Sequence, residues 1–123
     1  MQKELKKVLE FHKKFNRPIS EKPTVELVSE KQAEFRHFLI SEEVDEYLEG
    51  VKKGDLENVA KELADVLYAV YGTIIEHGLQ DKIEDIFAEV HNSHMTKVVE
   101  RGEQKLKKGK DYKEADITKF FKE

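Results

Sequence analysis

Apolar residues recur at helical spacing in four segments of the chain. The first segment spans residues 2 to about 15, and its apolar side consists of Leu5, Val8, Leu9, His12 and Phe15. A connector from Pro18 to Pro23 interrupts this pattern. Further helices are predicted over residues 24–49, 56–77 and 81–99. The pattern therefore predicts an all-α, four-helix bundle-like fold.

The ends of the second and third predicted helices carry start and stop signals. Thr24 is expected to cap the start of the second helix, and Asp55 the start of the third. Gly78 suits the position just after the third helix. The turn between the two helices is short, so we expect them to be antiparallel neighbours. The second helix is apolar on two sides, which indicates a partner subunit as well as an internal core.

Acidic residues with three-residue spacing lie on both sides of this turn. They are Glu42, Glu43 and Glu46 before it and Glu62 and Asp65 after it. Asp65 is the only charge in an otherwise apolar stretch from Leu63 to Ile75. Crowded carboxylates repel one another unless they hold a proton or a cation, and oxygen ligands favour Mg²⁺, Mn²⁺ or Ca²⁺ over zinc. A chain with 26 acidic residues also has such pairs on solvated surfaces, so spacing alone leaves both interpretations open.

Composition narrows the classes of function. The 123 residues suit one domain, with a core over about 2–100 and a polar, Lys-rich tail over about 101–123. The chain has no cysteine, and no apolar stretch approaches the roughly 20 residues that cross a bilayer, which predicts a cytoplasmic protein. A net charge of −4 argues against general nucleic-acid binding. Phosphate-binding glycine loops and nucleophile motifs are absent, which leaves carboxylate–metal chemistry.

The acidic spacing resembles the signature of the all-α nucleoside triphosphate pyrophosphohydrolases, the superfamily that contains the MazG-like enzymes. From about residue 8 to 117, the chain looks most like the phosphoribosyl-ATP pyrophosphohydrolase-like branch, also called Cof-like. The matching blocks are Phe11-His12-x-x-Phe15-x-x-Pro18, Lys53-Gly54-Asp55-Leu56, Leu67-Tyr68-x-x-Tyr71-Gly72-Thr73 and Glu89-Val90-His91-x-Ser93-x-Met95-x-Lys97. The chain departs from the family at His94, where asparagine is expected, and at Ala115-Asp116-Ile117, which lacks a proline.

This resemblance implies hydrolysis of the α–β phosphoanhydride bond of a nucleoside triphosphate or a related nucleotide such as phosphoribosyl-ATP. The products would be a monophosphate and pyrophosphate, and the cofactor Mg²⁺, with Mn²⁺ as an alternative. The implied metal ligands are Glu43, Glu46, Glu62 and Asp65, and Glu42 would orient or deprotonate the attacking water. The implied substrate contacts are His12, Asn92 and Lys97. The expected partners are the nucleotide and one or three further copies of the chain, not nucleic acid or a membrane.

Two other classes of function stay open at this level. A helical regulatory or binding protein could keep the metal cluster without turnover, and Mg²⁺ would then stabilise it although no nucleotide is consumed. A helical adaptor could instead bind RNA or DNA through the four lysines between residues 105 and 110. Such binding would be salt-sensitive and would survive loss of the acidic cluster.

Overall fold

The computed structural model describes residues 1–100, 102 and 104–122, and the described chain is all-helical, as predicted. Its helices are α1 (Gln2–Lys14), α2 (Glu30–Lys52), α3 (Leu56–Glu76) and α4 (Ile83–His94), followed by a short 3₁₀ turn at Thr118–Phe120. The described residues form no strand beyond an isolated bridge between Val98 and Lys107. Arg101, Glu103 and Glu123, which belong to the predicted polar tail, lie outside the described residues. No described helix is long and apolar enough to cross a membrane.

The chain divides into two compact units, Met1–Gln80 and Asp81–Glu123. The first unit contains α1 to α3, and α3 packs against both α2 and α1. This position agrees with the stretch of α3 from Leu63 to Ile75, in which Asp65 is the only charge. The second unit contains α4 and the segment that follows it. A single domain over residues 1–123 stays a prediction.

Helix α1 is amphipathic, and one side of it is buried in the first unit. Leu5, Val8 and His12 are its buried residues, at the spacing that places side chains on one helical face. The helix ends where Asn16 adopts a left-handed backbone with φ 52°, and the Arg17 N–H then donates to the His12 carbonyl. Asparagine tolerates this conformation better than most residues, so Asn16 is a local stop signal.

Helix α2 begins at Glu30, so the prediction that it starts near Thr24 is wrong. Ser29 caps the helix, and its hydroxyl accepts a hydrogen bond from the Gln32 N–H. The Thr24 N–H instead donates to the His77 carbonyl at the end of α3. Thr24 is therefore held by a residue 53 positions further along the chain, a contact that no local pattern contains.

The ends of α3 are as predicted. The Asp55 side chain caps its start by accepting from the Asn58 N–H. At its other end Gly78 has φ 69°, and a Cβ there would meet the Lys22 backbone at 2.2 Å. Glycine is therefore required both for the turn and for the close passage of the connector.

Helix α4 ends at His94, so the prediction that it continues to Val99 is wrong. The chain after it pairs with the tail, because Val98 and Lys107 exchange two backbone hydrogen bonds of 2.9 Å. The buried Ser93 hydroxyl also donates to the Lys113 carbonyl. These contacts join residues 9 to 20 positions apart, and they compete with continuation of the helix.

A buried ion pair joins α2 to α3. Arg36 Nη1 lies 3.1 Å from an oxygen of Glu76, whose side chain is 1% exposed. The other guanidinium nitrogens donate to the Thr73 hydroxyl and the Ala69 carbonyl, and Gln32 donates to Glu76. Gly72 makes room for this arrangement, since a Cβ there would lie 2.4 Å from Arg36 Nη2. Hydrogen bonds therefore compensate for much of the free energy that is lost when the charged groups of this pair are removed from water.

We expect Glu76→Gln to lower the free energy of unfolding by about 3–5 kcal/mol, because it leaves the buried Arg36 charge without its partner. Urea unfolding of Glu76→Gln, Arg36→Met and the double variant forms a double-mutant cycle. The double variant should lose at least about 1 kcal/mol less than the two single losses combined. Additive losses would show that the two side chains do not stabilise each other.

Candidate metal centre and adjoining cavity

Three carboxylates from two helices converge in the first unit. Glu43 of α2 and Glu62 and Asp65 of α3 each offer an oxygen, and these three oxygens all lie within 4.8 Å of one another. The three-residue spacing places Glu62 and Asp65 on the side of α3 that faces α2. Glu62 is only 6% exposed. The predicted convergence of acidic residues is therefore present for these three.

The crowding alters the acidity of the cluster. Burial, a hydrogen bond to Glu62 and repulsion from Glu46 and Asp65 together raise the pKa of Glu43 to about 7. The pKa of Glu46 is also raised, first by its hydrogen bond with Glu62 and then by burial. A carboxyl with a raised pKa holds a proton that relieves the repulsion. Without a cation, the cluster is therefore partly protonated at neutral pH.

The cluster fits a hard divalent cation. Oε2 of Glu43 and Oε2 of Glu62 are both buried, and neither receives a hydrogen bond from the described residues. Buried oxygens without a donor are costly, and a bound cation would satisfy them. The donors are carboxylate oxygens, which suit Mg²⁺ or Mn²⁺ better than zinc.

The other two predicted acidic residues lie at the edge of the cluster. Glu46 is half-buried and the nearby Glu62 raises its pKa, although its oxygens are not among the three that converge within 4.8 Å. Glu42 is exposed, and its charge contributes to the raised pKa of Glu46. The roles of Glu46 as a ligand and of Glu42 as the base stay predictions.

A cavity of about 210 Å³ adjoins the carboxylates. Its lining includes Glu43, Asp65, His12, Phe11 and Tyr68. Phe11 and Tyr68 meet edge to face at 5.5 Å, and the buried His12 ring is held by a 2.9 Å hydrogen bond to the Pro18 carbonyl. His12 thus lines the cavity, and its contact with substrate stays a prediction.

Asn92 and Lys97, the other predicted substrate contacts, belong to the second unit. Asn92 is exposed on α4, and Lys97 is half-buried three residues after the end of that helix. The Lys97 N–H donates to the His94 carbonyl. The contacts of Asn92 and Lys97 with substrate stay predictions.

Two residues near the carboxylates were not among the predicted site residues. Arg36 lines the cavity and lies seven residues before Glu43, which is two turns away on the same face of α2. The seven-residue spacing between Arg36 and Glu43 could have identified Arg36 from the sequence. Lys61 donates to Asp65 at 2.7 Å, and only its i,i+4 position relative to that residue indicates this contact.

A pair of adjacent helices carrying a carboxylate cluster beside a cavity, in an all-helical chain, is typical of the all-α nucleotide pyrophosphohydrolases. Residues 8–94 match the family described as phosphoribosyl-ATP pyrophosphohydrolase, and the chain belongs to this family, within the MazG-like superfamily. None of the curated proteins compared with the chain matches it. The family indicates a pyrophosphohydrolase and is typically dependent on a divalent metal.

The raised pKa of Glu43 predicts how stability varies with pH when metal has been removed. Its carboxyl titrates near 4.5 when unfolded and near 7 when folded, so the folded state binds its proton more tightly. Stability should therefore fall as the pH rises from about 4.5 to about 7, and this decline should flatten in Glu43→Gln. Thermal unfolding with a chelator, from about pH 5 to about pH 8, measures it.

The matched control is Glu34→Gln, which neutralises an exposed glutamate of the same helix. This variant should keep the pH dependence of the unsubstituted protein. An identical decline in Glu43→Gln and Glu34→Gln would show that Glu43 does not hold the proton. Added Mg²⁺ should stabilise the unsubstituted protein more at about pH 8 than at about pH 5, because metal and proton compete for the same oxygens.

Proposed function

We propose that this protein hydrolyses the α–β phosphoanhydride bond of a nucleotide, phosphoribosyl-ATP or a related nucleoside triphosphate, with Mg²⁺ as cofactor. Water would attack the α-phosphorus, the bond to the bridging oxygen would break, and pyrophosphate would leave. The nucleotide product would keep a single phosphate on the sugar that carried the triphosphate. Family membership over residues 8–94 and the convergence of Glu43, Glu62 and Asp65 within 4.8 Å support this proposal.

The acidic residues would divide the work between binding metal and activating water. Glu43, Glu62 and Asp65 would hold Mg²⁺, with Glu46 as a further ligand at their edge. Mg²⁺ would neutralise phosphate charge and stabilise the leaving pyrophosphate. Glu42, which is exposed beside Glu43, would accept a proton from the attacking water.

The cavity beside the carboxylates would receive the nucleoside part of the substrate. Its aromatic wall of Phe11 and Tyr68 offers apolar surface to a base. The hydrogen bond to Pro18 fixes the orientation of the His12 ring, which therefore offers a defined polar contact. We assign Lys97 to a phosphate contact by its match to the family block, and Asn92 to a substrate contact because it lies within the same block.

The direct test is a chromatographic product assay with Mg²⁺ and a panel of nucleoside triphosphates plus phosphoribosyl-ATP. We expect a monophosphate and pyrophosphate, and at least about 100-fold less of both from Glu43→Gln, because a lost ligand removes several kcal/mol of charge stabilisation. Glu34→Gln should retain full activity. Diphosphate with orthophosphate would contradict the α–β assignment. No consumption of any nucleotide would favour the regulatory protein.

We also propose that the protein forms a homodimer or homotetramer. Large apolar side chains at helical spacing are exposed on α2 and α3, namely Val44, Leu48, Val51, Leu56, Leu63 and Leu67. Large apolar side chains exposed on neighbouring helices are typical of an interaction surface, which supports this proposal. Copies of the same chain are the proposed occupants, which agrees with the two apolar sides of the second helix.

Leu67→Glu should therefore shift the assembly towards monomers. Leu67 is 53% exposed within the described chain, so the change should leave the fold of one copy intact. Sedimentation velocity over a range of protein concentrations measures the shift. The matched control, Val25→Glu, changes a residue that is 90% exposed between α1 and α2, and it should sediment like the unsubstituted protein. An unsubstituted protein that is monomeric at every concentration would contradict the proposal.

A further inference from the structure

Lys61 makes the only ion pairs that the carboxylate cluster forms within the described chain. Its ammonium donates to Asp65 Oδ2 at 2.7 Å and lies 3.6 Å from Glu62 Oε1. The Lys61 side chain is 68% exposed, so it approaches from the solvent side. A single positive charge thus bridges two of the three proposed metal ligands.

We propose that Lys61 is an exchangeable cation of this site: it holds Glu62 and Asp65 when no metal is bound, yields them to the divalent cation, and then pairs with substrate phosphate. This inference rests on the proposed function, since it takes the cluster as a metal centre. Lys61 would thus hold the carboxylates in one state and bind phosphate in the other, and the acidic motif includes neither role.

The first half of the exchange follows from competition for the same oxygens. An ammonium within hydrogen-bonding distance of Asp65 must move when a divalent cation binds there, because the two positive charges repel at short distance. The exposed, flexible stem of lysine allows that movement. Lys61 pairs with Oε1 of Glu62, so the buried Oε2 of Glu62 is available to a metal ion even while the ion pair is present.

The second half follows from where the ammonium is left. Lys61 directly precedes Glu62 in the chain, so its displaced ammonium stays near the solvent-facing edge of the cluster. A nucleotide that brings its phosphates to metal at the carboxylates brings them to this edge as well. A lysine ammonium is a compact charge that binds phosphate oxygens, so the displaced Lys61 has a new partner there.

Mn²⁺ titration of metal-stripped protein, followed by the paramagnetic resonance signal of free Mn²⁺, tests the first half without nucleotide. At low ionic strength, Lys61→Met should bind Mn²⁺ about three- to tenfold more tightly than the unsubstituted protein, because no ammonium has to be displaced. The Mn²⁺ affinity of two controls should stay within about twofold of the unsubstituted protein: Lys61→Arg, which keeps the charge, and Lys53→Met, which removes an exposed lysine at the end of α2.

Calorimetry with inorganic pyrophosphate at saturating Mn²⁺ tests the second half. Lys61→Met should bind pyrophosphate about three- to tenfold more weakly than Lys53→Met.

The outcomes separate this inference from the proposed function. Equal Mn²⁺ affinities for Lys61→Met and Lys53→Met would overturn the exchange and leave the metal centre intact. Equal pyrophosphate affinities would overturn the phosphate contact. Tighter Mn²⁺ and weaker pyrophosphate binding by Lys61→Met supports both halves, whatever the protein hydrolyses. No Mn²⁺ binding by any variant would overturn the metal centre and this inference together.

Discussion

Repulsion among the carboxylates of Glu43, Glu62 and Asp65 is the constraint around which the contact between α2 and α3 is built. Three acidic oxygens within 4.8 Å of one another cannot all be ionised and unpaired in a partly buried place. A proton on Glu43 relieves part of the repulsion. The remaining repulsion can be offset only by positive charge that these carboxylate-bearing helix faces do not themselves supply. The proposed metal binding and the energetic cost of folding this site are therefore two consequences of the same arrangement.

The same helix pair carries a compensated buried charge two turns away. Arg36 and Glu76 are both buried, but each has hydrogen bonds beyond the ion pair itself, to Thr73 and Ala69 on one side and to Gln32 on the other. Such a network adds little net stability compared with apolar packing, although breaking it is costly. It does fix which turn of α2 faces which turn of α3. Because Glu43 follows Arg36 by two turns, this register also sets the position of Glu43 opposite Glu62 and Asp65.

Local signals in the sequence were sufficient for the elements that depend on neighbours in the chain. Asp55 and Gly78 mark the ends of α3 as predicted, and the three-residue acidic spacing identified the carboxylates that converge. The predicted helix ends were wrong where contacts between residues far apart in the chain determine where a helix begins or ends. Thr24 has the chemistry of a helix cap, but the end of α3 binds its backbone, and the helix to Val99 stops early because the tail pairs with Val98. Arg36 was missed because an arginine within an amphipathic helix is usually exposed, and burial follows from its partner on α3.

The charges around the cluster also explain how one site can be occupied in two ways. Without metal, the proton on Glu43 and the ammonium of Lys61 together bring two positive charges to the carboxylates. In the proposed exchange, one divalent cation would bring the same charge directly to the buried oxygens of Glu43 and Glu62. That exchange would satisfy buried oxygens that the lysine does not reach, while Lys61 stays at the edge of the cluster. Positive charge in either state would limit the repulsion among the carboxylates, which would allow so acidic a contact to join two helices.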